Sequence, residues 1–173
     1  MSGCQLILGG ARSGKSRFAE QLLSPHRGRR VYLATAEARD GEMATRIAEH
    51  RKRRGAGWTT VEEPLDIVAA LSREESDGAA ILVDCLTLWL GNLMEAGRDT
   101  AGEADRLLAA LRGLRGSVVL VANEVGLGIV PDNALARRFR DEAGQLNQAV
   151  AAAAQRVFFL AAGLPMTLKD LEP

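Results

Sequence analysis

The residues whose types and spacing most clearly predict chemistry form the segment Gly9-Gly10-Ala11-Arg12-Ser13-Gly14-Lys15-Ser16. It has the spacing glycine, four residues, Gly-Lys-Ser, and it follows a short apolar run that ends at Leu8. Glycines let successive backbone N–H groups turn inward around phosphate oxygens, and a helix beginning here adds the positive end of its dipole. In this pattern, the P-loop, the lysine reaches the outer phosphates and the serine hydroxyl ligates Mg²⁺. We therefore expect Lys15 and Ser16 to act on a nucleoside triphosphate.

A magnesium site beside a P-loop also needs a carboxylate at the end of a neighbouring buried strand. Asp84 directly follows the apolar run Ala80–Val83, where an unpaired carboxylate is costly and a facing cation is favoured. The alternative is that Asp84 bonds to a nearby helix N-terminus. Asp84 and Glu124, each at a strand end, are also candidates for the general base of phosphoryl transfer. The Asn-Lys-x-Asp pattern of small GTPases is absent, because Asn123-Glu124-Val125-Gly126 stands at the comparable strand end, so the residues predict no base preference.

Two interpretations are open for His50, which is followed directly by the basic run Arg51-Lys52-Arg53-Arg54. In the first, His50 faces the core in one helical stripe with Met43 and Ile47, and the basic run complements the helix dipole. In the second, the neutral imidazole attacks a phosphorus atom and carries the transferred group covalently. The neighbouring cations then favour the neutral imidazole and offset charge on the attacked phosphate. The other histidine, His26, lies in a predicted solvated loop.

Short apolar runs alternate with segments of helical periodicity along the whole chain. The predicted strands are Gln5–Leu8, Arg30–Leu33, Thr59–Val61, Ala80–Val83, Ser117–Ala122 and Arg156–Leu160. The predicted helices are Lys15–Leu23, Glu42–Arg53, Leu65–Leu71, Leu86–Ala96, Ala104–Arg112 and Asn133–Gln155. Strands that are apolar at every position belong inside a parallel sheet covered on both faces. The prediction is a single three-layer α/β P-loop domain over residues 1–173, with a mostly parallel sheet and with loops at Asp99–Gly102 and Gly163–Pro165.

The last predicted helix has two faces of different character. Its apolar stripe consists of Leu135, Phe139, Ala143, Leu146, Val150 and Ala153. The opposite side carries Arg137, Arg140, Asp141, Gly144, Asn147 and Gln148. A glycine in a helix costs roughly 1 kcal/mol, so Gly144 indicates either an ordinary solvated face or a close approach by another subunit or the substrate.

Composition excludes several classes of protein. The 173 residues carry 22 Lys+Arg against 22 Asp+Glu, and 47% of residues are hydrophobic, which rules out a disordered chain. Zero net charge and 4% aromatic residues weigh against a nucleic-acid partner. No apolar run approaches the roughly 20 residues of a membrane span, and the start of the chain has no signal-peptide pattern. Cys4 and Cys85 are not spaced as metal ligands, so we expect a reduced, cytoplasmic setting.

A resemblance to a known family extends through most of the chain, in order. Its blocks are the P-loop Gly9–Ser16, Tyr32-Leu33-Ala34-Thr35-Ala36, Met43-Ala44-Thr45-Arg46-Ile47-Ala48-Glu49-His50, Asp84-Cys85-Leu86-Thr87-Leu88-Trp89, Asn123-Glu124-Val125-Gly126-Leu127-Gly128-Ile129-Val130-Pro131 and Arg138-Phe139-Arg140-Asp141-Glu142-Ala143-Gly144-Gln145-Leu146-Asn147-Gln148. A P-loop alone is common to many families, and the later blocks make the match specific. In these blocks the chain resembles the bifunctional adenosylcobinamide kinase/adenosylcobinamide-phosphate guanylyltransferases of cobalamin biosynthesis.

The resemblance implies two reactions and a set of site residues. The family phosphorylates the aminopropanol hydroxyl of adenosylcobinamide with ATP or GTP, then joins GMP from GTP to that phosphate, releasing pyrophosphate. The second step is thought to pass through a guanylylated histidine, and His50 lies at the matching position. The resemblance also implies a RecA-like fold, a homotrimer, and nucleotide contacts by Thr35, Ala36, Glu37, Lys52, Arg53, Arg54, Gly55, Glu62 and Asp84, besides the P-loop.

Two other functions are compatible with a P-loop. One is a small-molecule kinase in which His50 is structural, and the other is a nucleotide-dependent regulatory ATPase that uses Arg51–Arg54 on a phosphate backbone. The two-step function also makes a geometric demand, because the kinase step presents the γ-phosphorus and guanylyl transfer presents the α-phosphorus. A single nucleotide pose cannot hold both phosphorus atoms in line with one acceptor, which implies two successive poses or a second site.

Overall fold

The apolar runs of the sequence form one seven-stranded sheet in the computed structural model, which describes residues 3–37, 41, 45, 48–49, 52, 54–75 and 79–171. The strands are β1 (Gly3–Gly9), β2 (Arg30–Ala34), β3 (Thr59–Glu62), β4 (Ala80–Asp84), β5 (Ser117–Asn123), β6 (Arg156–Ala161) and β7 (Leu164–Asp170). The helices are α1 (Lys15–Leu23), α2 (Ile67–Glu74), α3 (Leu86–Glu95), α4 (Thr100–Gly113) and α5 (Ala134–Ala153), with a short 3-10 helix at Gly55–Gly57. The predicted helix Glu42–Arg53 lies mostly outside the described residues; Gly41, Thr45, Ala48, Glu49 and Lys52 are helical.

The strand order is β3-β2-β4-β5-β1-β6-β7, and every pairing is parallel except that of β6 with β7. Because parallel strands point the same way, β1, β2, β4 and β5 all end at one edge of the sheet. The P-loop lies at that edge, together with Asp84 and the segments that follow Ala34 and Asn123. The predicted mostly parallel α/β fold is confirmed.

Side chains alternate between two hydrophobic layers, one on each face of the sheet. On one face, Ile7, Leu82 and Val119 pack with α1. On the other face, Leu6, Val83 and the neighbouring strand residues pack with α2, α3, α4 and α5. This arrangement explains why β4 and β5 are apolar at successive positions, and it gives the three predicted layers. Within the described ranges, no helix combines the length and the hydrophobicity that crossing a membrane requires.

Two of the predicted loops are wrong. Gly163–Pro165 was expected to be a loop, but Ala162 and Gly163, with φ of 52° and 79°, form the turn of a hairpin, and β7 begins at Leu164. Pro165 argued against a strand in the sequence, yet β7 is an edge strand, where a residue without an N–H is tolerated. Asp99–Gly102 was the second expected loop. The helix α4 begins at Thr100, so only Asp99 of this segment lies outside it, and Gly102 lies in its first turn.

The long helix α5 also departs from its predicted faces at two positions. Leu135, assigned to the apolar stripe, is largely exposed in the first turn. Asn147, assigned to the polar side, is buried, and its Nδ2 donates to the carbonyl oxygen of Asn123 at 3.2 Å. Helical periodicity alone cannot predict this burial, because it depends on an acceptor at the end of β5. Gly144 is not in close contact with its own chain: a Cβ there would have no heavy atom within 4 Å among the described residues.

Candidate nucleotide-binding and catalytic site

The P-loop connects the end of β1 to the start of α1, and glycines determine its path. Gly14 has a φ of 96° and precedes the helix, a conformation that favours glycine. The loop is tied to the β6–β7 turn, because the Gly163 N–H donates to the Ser13 carbonyl oxygen at 3.0 Å. A Cβ on Gly10 would have no heavy atom within 4 Å apart from its neighbours in the chain, so this position of the loop is sterically open.

The Gly9→Ala variant is expected to lose about 2–4 kcal/mol of unfolding free energy. At Gly9 φ is 151°, and a Cβ would overlap the backbone carbonyl oxygen of Leu160 and lie 2.8 Å from the Ser13 Oγ. The matched variant Gly10→Ala, where the space is open, should lose less than about 1 kcal/mol. Urea unfolding of both variants measures the difference, and equal losses would contradict this account of the loop.

Lys15 is held over the loop that it is expected to serve. Its side chain is only 7% exposed, and Nζ donates to the Gly10 carbonyl oxygen at 2.5 Å. A longer contact, 3.4 Å, joins Nζ to the Ser13 Oγ. The ammonium group therefore already lies among the loop's backbone groups, where phosphate oxygens can replace the carbonyl as its partner. Ser16 follows in the first turn of α1 and is half-buried.

Asp84 ends β4 and presents its carboxylate at the same sheet edge. Its Oδ2 accepts a hydrogen bond from the Tyr32 hydroxyl at 2.9 Å, and the Asp84–Cys85 peptide bond is cis. The alternative of a bond to a helix N-terminus is not favoured, because α3 is capped by Cys85, whose Sγ accepts from the Leu88 N–H. Since α1 packs against β4 as well as β1, Ser16 and Asp84 lie on adjoining elements.

The donor set fits a magnesium ion bound with nucleotide. A serine hydroxyl and a carboxylate are hard oxygen ligands, and Mg²⁺ usually takes one or two of these and completes its shell with phosphate oxygens and water. The described part of the chain has no cluster of three or more His, Cys, Asp or Glu that could hold a metal by itself.

Burial and charge fix the protonation of the groups beside Asp84. Burial, followed by the negative charge of Asp84, raises the pKa of Tyr32 far above its ordinary value. Burial likewise raises the pKa of Cys85 to about 11, with Asp84 adding to the shift and Lys15 opposing it. Tyr32 is therefore a hydrogen-bond donor at neutral pH, and the Cys85 thiol is not a nucleophile.

Thr35, expected to contact nucleotide, is fully buried and joins two strand ends. Its Oγ1 donates to the Cys85 carbonyl oxygen and accepts from the Cys85 N–H, both at 2.8 Å. The Asn92 Nδ2 donates to the carbonyl oxygens of Thr35 and Pro64 at 2.9 and 3.0 Å. Ala36 and Glu37 follow Thr35 outward, and Glu37 is exposed. A cavity of about 160 Å³ opens here, lined by Glu37, Pro64, Leu65, Asn92, Glu95 and Ala96.

The basic segment reaches this edge through Arg54. Its guanidinium carbon lies 3.4 Å from the centroid of the Tyr32 ring, the same residue whose hydroxyl bonds to Asp84. Lys52 and Gly55 are exposed, and Gly55 has a φ of 69°. Glu62 ends β3 and pairs with Ala34. His50 and Arg53 lie outside the described residues.

Sequence reasoning missed the supports that hold these groups in place. Tyr32 and Asn92 were not singled out, and Asn147 was assigned to the wrong face. Asn147 and Thr87 together hold the last residue of β5, since the Asn123 N–H donates to the Thr87 Oγ1 at 2.7 Å. The next residue, Glu124, donates its N–H to the Gly9 carbonyl oxygen and accepts from the Gly126 N–H. For Asn147, the one signal in the sequence was a polar residue on a helix that otherwise packs against the sheet.

Solved structures share the fold. An ATPase of a bacterial type III secretion system matches 95% of this chain and 56% of its own, with a TM-score of 0.57 and 11% identity. The RadB recombinase matches 91% of this chain and 73% of its own, with a TM-score of 0.53 and 13% identity. These similarities show that the chain shares the fold of these two proteins.

Sequence relatives narrow the assignment. The bifunctional adenosylcobalamin biosynthesis protein CobP of Pseudomonas aeruginosa is 55% identical over 166 residues, covering 95% of this chain and 96% of that protein. The bifunctional adenosylcobalamin biosynthesis protein CobU of Salmonella typhimurium is 40% identical over 179 residues, covering 95% and 98%. The family model described as cobinamide kinase / cobinamide phosphate guanyltransferase matches residues 5–168. The chain therefore belongs to the cobinamide kinase / cobinamide phosphate guanyltransferase family.

Proposed function

We propose that this chain catalyses two successive reactions on one corrinoid. It first phosphorylates the aminopropanol hydroxyl of adenosylcobinamide with ATP or GTP, and it then transfers GMP from GTP to that phosphate. The observation that carries the proposal is the buried Lys15 at the P-loop, with Asp84 at the same sheet edge on β4, which β5 separates from β1, in a chain of this family.

In the phosphoryl step, the loop backbone and Lys15 bind and orient the triphosphate. The acceptor hydroxyl oxygen bonds to the γ-phosphorus, and the bond to the β–γ bridging oxygen breaks, releasing the nucleoside diphosphate. Ser16 and Asp84 would hold Mg²⁺, which would neutralise charge on the phosphate oxygens. Asp84 and Glu124 are the candidates to accept the hydroxyl proton, since both lie at the sheet edge that carries the loop.

In the guanylyl step, we propose that an imidazole nitrogen of His50 bonds to the α-phosphorus of GTP, and pyrophosphate leaves. A phosphate oxygen of adenosylcobinamide phosphate then bonds to the same phosphorus, and the histidine is released unchanged. Support comes from the resemblance and from Arg54, which follows His50 by four residues and rests on Tyr32 beside Asp84. Arg54, the last residue of the basic segment, therefore lies near the sheet edge that carries Asp84.

Assembly and setting are also part of the proposal. The resemblance implies a homotrimer, and large apolar side chains are available for subunit contacts: Leu127 is 83% and Ile129 98% exposed. Sedimentation equilibrium tests the trimer, and a single-subunit mass would contradict it. Both cysteines, Cys4 and Cys85, are free and buried, which is compatible with a cytoplasmic setting.

A product assay tests the two-step function. The chain is incubated with adenosylcobinamide, Mg²⁺ and ATP, and then with added GTP, and the corrinoids are identified by mass spectrometry. We expect adenosylcobinamide phosphate from ATP alone, and adenosylcobinamide-GDP with pyrophosphate once GTP is present. Formation of the phosphate with no GDP product under any nucleotide condition would contradict the proposal and favour a small-molecule kinase.

A further inference from the structure

Tyr32 contacts two separate parts of the candidate site at once. It lies in β2 and is 6% exposed. At its tip, the hydroxyl donates to the Asp84 Oδ2 at 2.9 Å. On one ring face, the guanidinium carbon of Arg54 lies 3.4 Å from the centroid, and the Trp58 ring packs edge-on with centroids 6.4 Å apart. Neither motif analysis nor the family resemblance gives this side chain a role.

The hydroxyl contact restricts the orientation of the Asp84 carboxylate. A carboxylate free to rotate loses entropy when it binds a cation, whereas one already bonded through Oδ2 loses less. Groups that hold a metal-binding side chain in this way commonly change metal affinity or activity about 10- to 100-fold when they are removed. The partner here is a phenol, which carries no charge while it donates this hydrogen bond. The hydrogen bond therefore orients Asp84 without cancelling its charge.

The ring contact fixes the position of a cation. A guanidinium over an aromatic face is attracted by the ring quadrupole, by about 0.5–2 kcal/mol depending on exposure. Arg54 is half-buried, and its contact with the face of the Tyr32 ring limits the positions that the guanidinium charge can take. Because the same ring ends in the hydroxyl that holds Asp84, the distance between this cation and this carboxylate is set by one rigid side chain.

We propose that Tyr32 is a positioning residue shared by the two reactions, its hydroxyl orienting Asp84 toward the nucleotide-bound cation and its ring seating Arg54 toward the nucleotide phosphates. The inference rests on the proposed function of the site. It gives one side chain two tasks, orienting Asp84 and placing Arg54. It predicts that substitutions of Tyr32 can remove these two effects one at a time.

Nucleotide binding without turnover provides the test. The probe is the α,β-methylene analogue of GTP, with no corrinoid present, and its Kd is measured by calorimetry with Mg²⁺ and with EDTA. In Tyr32→Phe we expect the gain in affinity on adding Mg²⁺ to shrink about 10-fold or more, while the affinity in EDTA changes less than about twofold. In Tyr32→Leu we expect the same decrease in the Mg²⁺-dependent gain. In addition, the affinity in EDTA should fall about 3-fold, because the aromatic ring that contacts Arg54 is gone.

Two comparisons separate positioning from general damage. Ser72→Ala removes a hydroxyl from the exposed side of α2, where it bonds only its own helix, and should leave both affinities unchanged. In an Asp84→Asn background, adding Tyr32→Phe should reduce the Mg²⁺-dependent gain no further. An unchanged gain in folded Tyr32→Phe, or an equal further loss in the Asp84→Asn background, would overturn the inference. Failure of the two-step function would appear separately, as missing products from the unaltered chain.

Discussion

The His50→Ala variant is expected to lose guanylyl transfer, with a rate at least about 10³-fold lower, and to keep phosphoryl transfer within about threefold. A covalent nucleophile has no substitute when its side chain is removed, whereas the kinase step passes the phosphoryl group directly to the corrinoid hydroxyl. Each reaction is measured alone, the first with adenosylcobinamide and ATP, the second with adenosylcobinamide phosphate and GTP.

The chain contains a matched control for this variant. His26, the other histidine, lies in the turn after α1, where its backbone N–H donates to the Leu23 carbonyl oxygen. His26→Ala removes the same group and should change neither reaction by more than about twofold. If His50→Ala instead lowers both activities equally in a protein that is still folded, His50 does not have a role separate from the kinase step.

Lys15→Met is expected to lower kcat/KM about 10²- to 10³-fold in both reactions. The ammonium is buried, already oriented by the Gly10 carbonyl oxygen, and surrounded by the loop backbone, so its charge acts on phosphate oxygens with little screening by water. Both reactions use a triphosphate held by the same loop, and kcat/KM should therefore fall in both. The two separate assays described for His50→Ala measure the effect.

A control for Lys15→Met must remove a cation without touching the loop. Arg112 stands in the last turn of α4, is exposed, and can be changed to methionine in the same way. Arg112→Met should leave both rates within about twofold. A Lys15→Met variant that loses only one of the two activities would contradict the use of one P-loop for both reactions, and it would favour a second nucleotide site.

The two reactions need different phosphorus atoms at their acceptors. If the loop holds the β- and γ-phosphates during guanylyl transfer, pyrophosphate is bound as the leaving group while the α-phosphorus faces His50. In the kinase step the γ-phosphorus must face the corrinoid hydroxyl instead. One loop with two successive nucleotide poses accounts for both requirements, and the paired effect expected for Lys15→Met follows from it.

Most of the fold could be predicted because its strands are apolar on both faces. Val118–Ala122 and Ala80–Val83 are buried by helices on either side, and such runs have few alternatives to a central parallel strand. The missed strand, β7, is the opposite case. It is exposed on one edge, contains Pro165, and depends on pairing with β6, so its own sequence carried little strand signal.

The site was predictable where chemistry requires a fixed spacing of residues along the chain. The P-loop lies between β1 and α1 as its spacing required, and Asp84 ends a buried strand at the same sheet edge, with β5 between that strand and β1. Tyr32 and Asn147 have no such signature, because their roles depend on partners 52 and 24 residues away in the chain. The hydrogen bonds that Tyr32 makes to Asp84 and Asn147 makes to Asn123 are apparent only in the folded chain.

The most direct measurement uses GTP labelled in turn at the α- and the γ-phosphate. Incubated with the unaltered chain and Mg²⁺ in the absence of corrinoid, α-labelled GTP should leave one acid-labile, base-stable label on the peptide that contains His50. The γ-labelled nucleotide should leave none there, and His50→Ala should take up neither label. Guanylyl transfer to adenosylcobinamide phosphate that proceeds without any protein-bound label, or with the label on another residue, would contradict the covalent role of His50.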